Sequence, residues 1–120
     1  LARGCIEAGA DLVYGHGAHV NQGIEVYEGK PIFHCVGQLA FDWVRTRHHR
    51  DGLVLRFLVA NGELTGLRFV PVYRDDENNV YFADPSVGEG ARQLAALRED
   101  SPGISLEIEG DVVRIAELEV

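Results

Sequence analysis

The sequence predicts an α+β fold, and three observations carry that reading. A short helical segment, a glycine, a brief apolar strand and a Gly-rich turn open the chain. From Asn21 onward the pattern changes to consecutive strands joined by tight turns. One longer helix comes late, ahead of a last hairpin.

Each element has its own signal. Leu1 to Ala8 has helical spacing, with Leu1, Cys5 and Ala8 able to share a face, and Gly9 suits a left-handed stop. Asp11 to Tyr14 reads as a short buried strand, and helix, glycine, strand and Gly-rich turn together are the layout of an α/β layer with a site at the strand end. Ile24 to Tyr27 alternates with period 2, and Glu28-Gly29-Lys30-Pro31 turns into Ile32 to Val36. Val36 to Trp43 is apolar, and Arg45 to Gly52 is a basic, polar loop. Leu53 to Ala60 and Glu63 to Tyr73 flank Asn61-Gly62, the strongest hairpin signal present. Asp75 to Asn79 is a solvated loop. Ser86 can cap a helix reaching about Asp100, with Glu89 at the capping-box position and Leu94 and Leu97 on one face. Ser101-Pro102-Gly103 stops it. Leu106 to Ile108 and Val112 to Ile115 then pair around Gly110-Asp111. No repeat, linker or low-complexity run divides the chain, so one unit covers residues 1–120.

Composition narrows the function. The 120 residues are 46% hydrophobic and 25% charged, ordinary globular usage. No apolar run reaches the roughly 20 residues of a membrane-spanning helix. A net charge of −8 disfavours nucleic acid or an anionic membrane as general partners, although a local basic patch can still receive an anionic substrate. Cys5 and Cys35 form no metal-binding spacing and are expected as buried free thiols. The chain contains no Met and opens inside a predicted helix, so it reads as a fragment of a longer protein.

Gly15-His16-Gly17-Ala18-His19 places two imidazoles three residues apart, directly after a strand. Neutral imidazole is a common ligand for Zn, Fe, Ni and Cu, and a turn can aim both rings into one pocket. Gly15, Gly17 and Ala18 remove bulk and permit unusual backbone angles, which lets a metal or phosphate approach closely. Taken alone, such a pair is more often a polar turn than a metal site.

Context changes that balance. Ala8 to Val20, reading AGADLVYGHGAHV, resembles the "aGADlViGhHPHv" segment of the CapA family of capsule (poly-gamma-glutamate) synthesis proteins. The likeness continues in order through Gln22 to Tyr27, Gly29 to Ile32 and Val36 to Asp42, where the family usually reads "YSLGNFvFD". It is close over about Leu1 to Asp42 and only general beyond. The resemblance implies the C-terminal part of a layered α/β/β/α calcineurin-like metallophosphoesterase sandwich, with residues 1–44 as the motif-bearing core and 45–120 as trailing hairpins and helix. It also implies a divalent metal ion, with His19 the better ligand or catalytic candidate and His16 the second. Gly15 and Gln38 then become substrate-binding candidates. The envelope or extracellular side is the expected location.

Three departures stand against the family pattern. Gly17-Ala18 replaces His-Pro, Gln38 replaces Asn, and His34-Cys35 replaces Tyr-Ser. The carboxylates, Asn and further histidines of a two-metal site lie in N-terminal family motifs that are not present here, so this chain alone is not expected to form a complete site. The missing N-terminal part of the same protein is the expected partner.

Arg45, Arg47, His48, His49 and Arg50 make the only basic cluster. It reads either as a surface loop or as a patch in which Arg45 and Arg47 receive the carboxylates of an anionic polymer such as polyglutamate. His48 and His49 are neighbours, which on an extended chain point in opposite directions. His34 reads as a satisfied, partly buried histidine and Asp11 as structural. Phe41 and Trp43 read as packing residues. Two functions stay open: a metal-dependent hydrolase in the full-length protein, and a non-catalytic scaffold subunit that keeps the fold without the site.

Overall fold

The computed structural model describes residues 1–40 and 47–118. Helix α1 (Ala2–Glu7) leads through Gly9, at φ 116°, to strand β1 (Val13–Tyr14). Strands β2 (Ile24–Tyr27) and β3 (Lys30–Phe33) follow as an antiparallel hairpin with Tyr27 opposite Lys30. Glu28 and Gly29 both have left-handed angles, φ 51° and 75°, the two-residue turn whose twist suits its flanking strands. β1 lies parallel to β3, with Val13 opposite Ile32, so the first sheet has the order β1-β3-β2.

The second sheet is larger. Strands β4 (Asp51–Ala60) and β5 (Glu63–Arg74) pair along most of their length, turning at Asn61 and Gly62, again both left-handed at φ 53° and 77°. β6 (Val80–Phe82) adds to β5, and a last hairpin of β7 (Leu106–Glu109) and β8 (Val112–Ile115) completes the order β4-β5-β8-β7. The main helix, α2 (Gly88–Glu99), lies between β6 and β7 in sequence and packs on β5. Single 3₁₀ turns occupy Arg47–Arg50 and Ala116–Leu118. The architecture is α+β and mostly sheet.

Both sheets and α2 share one core. Ile24, Phe33 and Val36 from the first sheet and its exit meet Leu53, Leu67, Phe69, Val113 and Ile115 from the second, with Leu94 and Leu97 of α2 closing over them. Phe33 and Phe69 pack edge to face with centroids 5.7 Å apart, a geometry favoured by the aromatic quadrupole. Polar groups stitch the same layers. Gln93, 1% exposed, donates from Nε2 to the Val72 carbonyl at 2.8 Å and accepts on Oε1 from Asn21 Nδ2 at 2.8 Å. Ser101 Oγ accepts from the Ile24 amide at 2.8 Å, so the end of α2 is tied to β2.

The sheets also touch backbone to backbone. Gly37 bridges Gly52, the Gln38 amide donates to the Asp51 carbonyl at 2.9 Å, and the Leu53 amide donates to the Val36 carbonyl at 2.9 Å. Gly37 has φ 70°, and a Cβ there would overlap the Asp51 carbonyl oxygen. Glycine is required here both by conformation and by space.

Several local expectations change. In α1 the buried residue is Ile6, while Leu1 and Cys5 are exposed; a helix of six residues buries only what its one contact with β1 and β3 covers. Cys35 is buried as expected and Cys5 is not. β1 is two residues long, and Tyr14 is exposed. Ser86 does not cap α2: its amide and hydroxyl both donate to Asp84 Oδ1, at 2.8 and 2.6 Å, and the N-cap is Val87. Glu89 pairs instead with Arg92 at 2.7 Å. A local Asx turn has outcompeted the capping box. The segment expected as a loop up to Gly52 ends in a 3₁₀ turn and the start of β4, and β6 was not expected. Asp75 to Asn79 is the expected loop, closed by Asp75 Oδ1 accepting from the amides of Glu77 and Asn79, each at 2.9 Å. Those bonds hold the Asp75 carboxyl below its ordinary range, the Asn79 amide most of all.

Candidate functional site

The histidine turn leaves β1 and is pinned to the exit of β3. The Gly15 amide donates to the Phe33 carbonyl at 2.8 Å, and the Gly15 carbonyl accepts from the Val36 amide at 3.0 Å. A Cβ at Gly15 would collide with the His34 carbonyl oxygen. The glycine is therefore needed for close packing of two backbones, which places the following residues on the rim of the first sheet. At Gly17, by contrast, space is open and only the φ of 105° favours glycine.

His16 and His19 have different surroundings. His16 is exposed, with its ring edge-on to Tyr14 at 5.6 Å. His19 is partly buried and has a left-handed backbone, φ 64°, which costs a non-glycine residue roughly 1–2 kcal/mol. Gln38 offsets part of that cost, its Nε2 donating to the His19 carbonyl at 3.0 Å. The His19 ring lies 6.5 Å from the ring of His49, at 75° to it. So the turn itself presents one exposed and one partly buried imidazole, and the second ring beside His19 comes from the 3₁₀ turn ahead of β4.

Sequence reasoning missed His49 in this role. The signal available was the basic cluster, but an extended-chain reading sends His48 and His49 apart without saying where either goes. It missed Asn21 as well, whose Oδ1 is buried with no hydrogen-bond partner among the described residues, as is Gln38 Oε1. Of the remaining candidates, Arg45 lies outside the described residues, as do Phe41 and Trp43. Arg47 opens the 3₁₀ turn. Arg50, in the same turn, pairs with Asp76 at 3.0 Å and donates to the Arg74 carbonyl at 3.2 Å. His34 is satisfied but exposed, 3.2 Å from Glu25 Oε1. Asp11 accepts from Lys30 at 2.7 Å, a structural pairing across the sheet.

Glu25 is the most clearly perturbed carboxylate near the turn. Hydrogen bonding from Arg3 first, then from His34, holds it below its ordinary range, against a desolvation that raises it. Deeper in, Asp51 is 3% exposed and pairs with Arg92, which also binds Glu89.

Imidazole nitrogen suits a divalent transition metal, so the donor type at His16, His19 and His49 fits such an ion. The number of donors is smaller than a full coordination shell: among the described residues no group of three or more His, Cys, Asp and Glu side chains converges.

Comparison with known proteins converges on the same segment. Residues 1–43 match the family described as Bacterial capsule synthesis protein PGA_cap. The chain is 47% identical over 64 residues to the PGA biosynthesis protein CapA of Bacillus subtilis, covering 52% of this chain and 16% of that protein. It is 40% identical over 62 residues to the Capsule biosynthesis protein CapA of Bacillus anthracis, covering 52% and 15%. With a probable polyglutamine synthesis accessory protein of Mycobacterium tuberculosis it shares 36% identity over 79 residues, covering 60% and 21%. Through its first 43 residues the chain is similar to capsule-synthesis proteins of this family. The matches span less than a quarter of the length of these curated relatives. The histidine turn, its anchor at Gly15 and the Gln38 hydrogen bond all fall inside the family match, whereas His49 falls beyond it. No helix among the described residues is long and apolar enough to cross a membrane.

Proposed function

We propose that the protein takes part in making or processing capsule poly-gamma-glutamate, and that when complete it is a metal-dependent hydrolase of the layered α/β/β/α metallophosphoesterase type. The observation that carries this reading is the placement of His19. It stands in the segment matched to capsule-synthesis proteins, at a strand end, with its backbone held by Gln38 in a conformation that costs energy. Strained residues over-determined by their surroundings cluster at functional sites. Two sheets and α2 packed on one core support the layered architecture.

In this reading His19 and His16 are partial ligands to a divalent ion whose other ligands lie outside this chain. A divalent ion in such a site polarises the scissile group and lowers the pKa of a bound water. The chain's own residues hold and position. Gly15 keeps the turn close to β3, and Gln38 fixes the peptide of His19. Arg45 and Arg47 suit polymer carboxylates by the forked geometry of guanidinium. The cell envelope is the corresponding location.

The replacement of the family's usual Asn by Gln38, and of His-Pro by Gly17-Ala18, favours a second reading, a scaffold subunit of a capsule assembly that has lost catalysis. Metal analysis and a poly-gamma-glutamate chain-length assay on the complete protein separate the two. The hydrolase reading expects bound divalent metal and chelator-sensitive shortening of the polymer, both lost in His19→Ala. Metal-free protein with no His19 effect rejects it and leaves the scaffold.

A further inference from the structure

His19 and His49 belong to segments thirty positions apart, yet their rings meet in a T-shaped arrangement, with centroids 6.5 Å apart and planes at 75°, and both residues are partly buried. The two backbones are anchored in the same way. Gln38 Nε2 donates to the His19 carbonyl at 3.0 Å, and Arg74, 2% exposed, donates from Nη2 to the His49 carbonyl at 3.3 Å. The Arg50 bond to the Arg74 carbonyl closes the second anchor. Both turns also meet at one junction, because the Gln38 amide bonds the Asp51 carbonyl two residues after His49. A supported backbone of this kind is what a ligand pair requires.

We propose that His49 is a second imidazole donor to the divalent transition-metal ion held by His19, making the site a composite of the histidine turn and the turn before β4. This rests on the reading of His19 as a metal ligand. Metal–imidazole bonds of about 2.0–2.1 Å put two rings that share an ion roughly 5–6 Å apart between centroids. The observed separation therefore calls for a closure of about 1 Å, the tightening expected when a ligand enters. Within the turn, His16 is the weaker partner, since its ring lies against Tyr14. The Gly17-Ala18 departure removes a family histidine from the turn, and His49 offers an imidazole from another direction.

The test titrates the complete protein with Ni²⁺ alone, read by calorimetry and by the ring-proton NMR signals of His16, His19 and His49. The expected result is saturable binding that perturbs the His19 and His49 rings together, with affinity falling at least about tenfold in both His19→Ala and His49→Ala. Perturbation of His19 without His49, with His49→Ala binding as the parent, overturns the inference while leaving His19 as a ligand. Binding indifferent to both substitutions overturns the inference and the reading beneath it, and an unchanged spectrum in the parent chain overturns the inference. The ring signals of the unsubstituted chain decide the matter even if a variant fails to fold.

Discussion

Gln38 reaches back nineteen residues to hold the carbonyl of His19 at 3.0 Å, and in doing so ties the histidine turn to the end of the family-matched segment. The same side chain leaves its Oε1 buried without a partner among the described residues. Gln38→Ala removes one hydrogen bond and one orphaned acceptor together. The net loss is expected to be small, about 1 kcal/mol or less in urea unfolding. The local effect is larger, with broadened or shifted His19 ring signals as the left-handed backbone is released. Unchanged His19 signals would show that the bond does not position the ring.

Gln93 should behave differently. It is 1% exposed and serves both the Val72 carbonyl and Asn21 Nδ2. Gln93→Leu fits the volume but deprives two groups of their partner, each costing about 1–3 kcal/mol if water cannot enter. A destabilisation of about 2–4 kcal/mol in denaturant unfolding is expected, and a loss below about 0.5 kcal/mol would contradict this role.

Gly15 and Gly17 offer a matched comparison two residues apart. Gly15→Ala drives a methyl into the His34 carbonyl, so β1 and β3 must separate. Gly17→Ala meets open space and bears only the cost of its φ of 105°, about 1–2 kcal/mol. Thermal unfolding should rank Gly15→Ala clearly below Gly17→Ala. The reverse order would mean that the turn is not anchored at Gly15.

Acid should release the Arg3–Glu25–His34 cluster. Glu25 titrates below its ordinary value in the folded chain because Arg3, then His34, hydrogen-bond its charged form. The stability this contributes is present above the unfolded carboxylate pKa of about 4.3. It is lost as pH falls through the lower folded value. Glu25→Gln should therefore flatten the acid side of the stability–pH curve and leave the slope near neutrality unchanged. An identical acid limb in the variant would remove Glu25 from the account.

The two thiols should separate in a labelling experiment. Cys5 is exposed and Cys35 is 1% exposed, and both are free. A thiol reagent should modify Cys5 in the folded chain and reach Cys35 only on unfolding. Two equally fast thiols would contradict the packing of Cys35.

The sequence by itself determined the elements whose cause is local. Asn61-Gly62 and Glu28-Gly29 set hairpin turns because the φ values they need come with those residues. Leu94 and Leu97 marked the buried face of α2 by period alone, and the ordered run from Ala8 to Asp42 was legible as a family signature with His19 at its centre. Tertiary structure decided what depends on residues far apart. Burial of Ile6 in place of Cys5, and the exposure of Tyr14, follow from how little of a short helix and a two-residue strand the rest of the chain covers. Ser86 turned to Asp84 because an Asx turn was within reach, a choice periodicity does not record. The meeting of His19 with His49 needed the Gly37–Gly52 bridge and the anchor from Arg74. Local sequence sets torsions and faces, while which two side chains end up opposite each other is fixed only when the sheets close on one core.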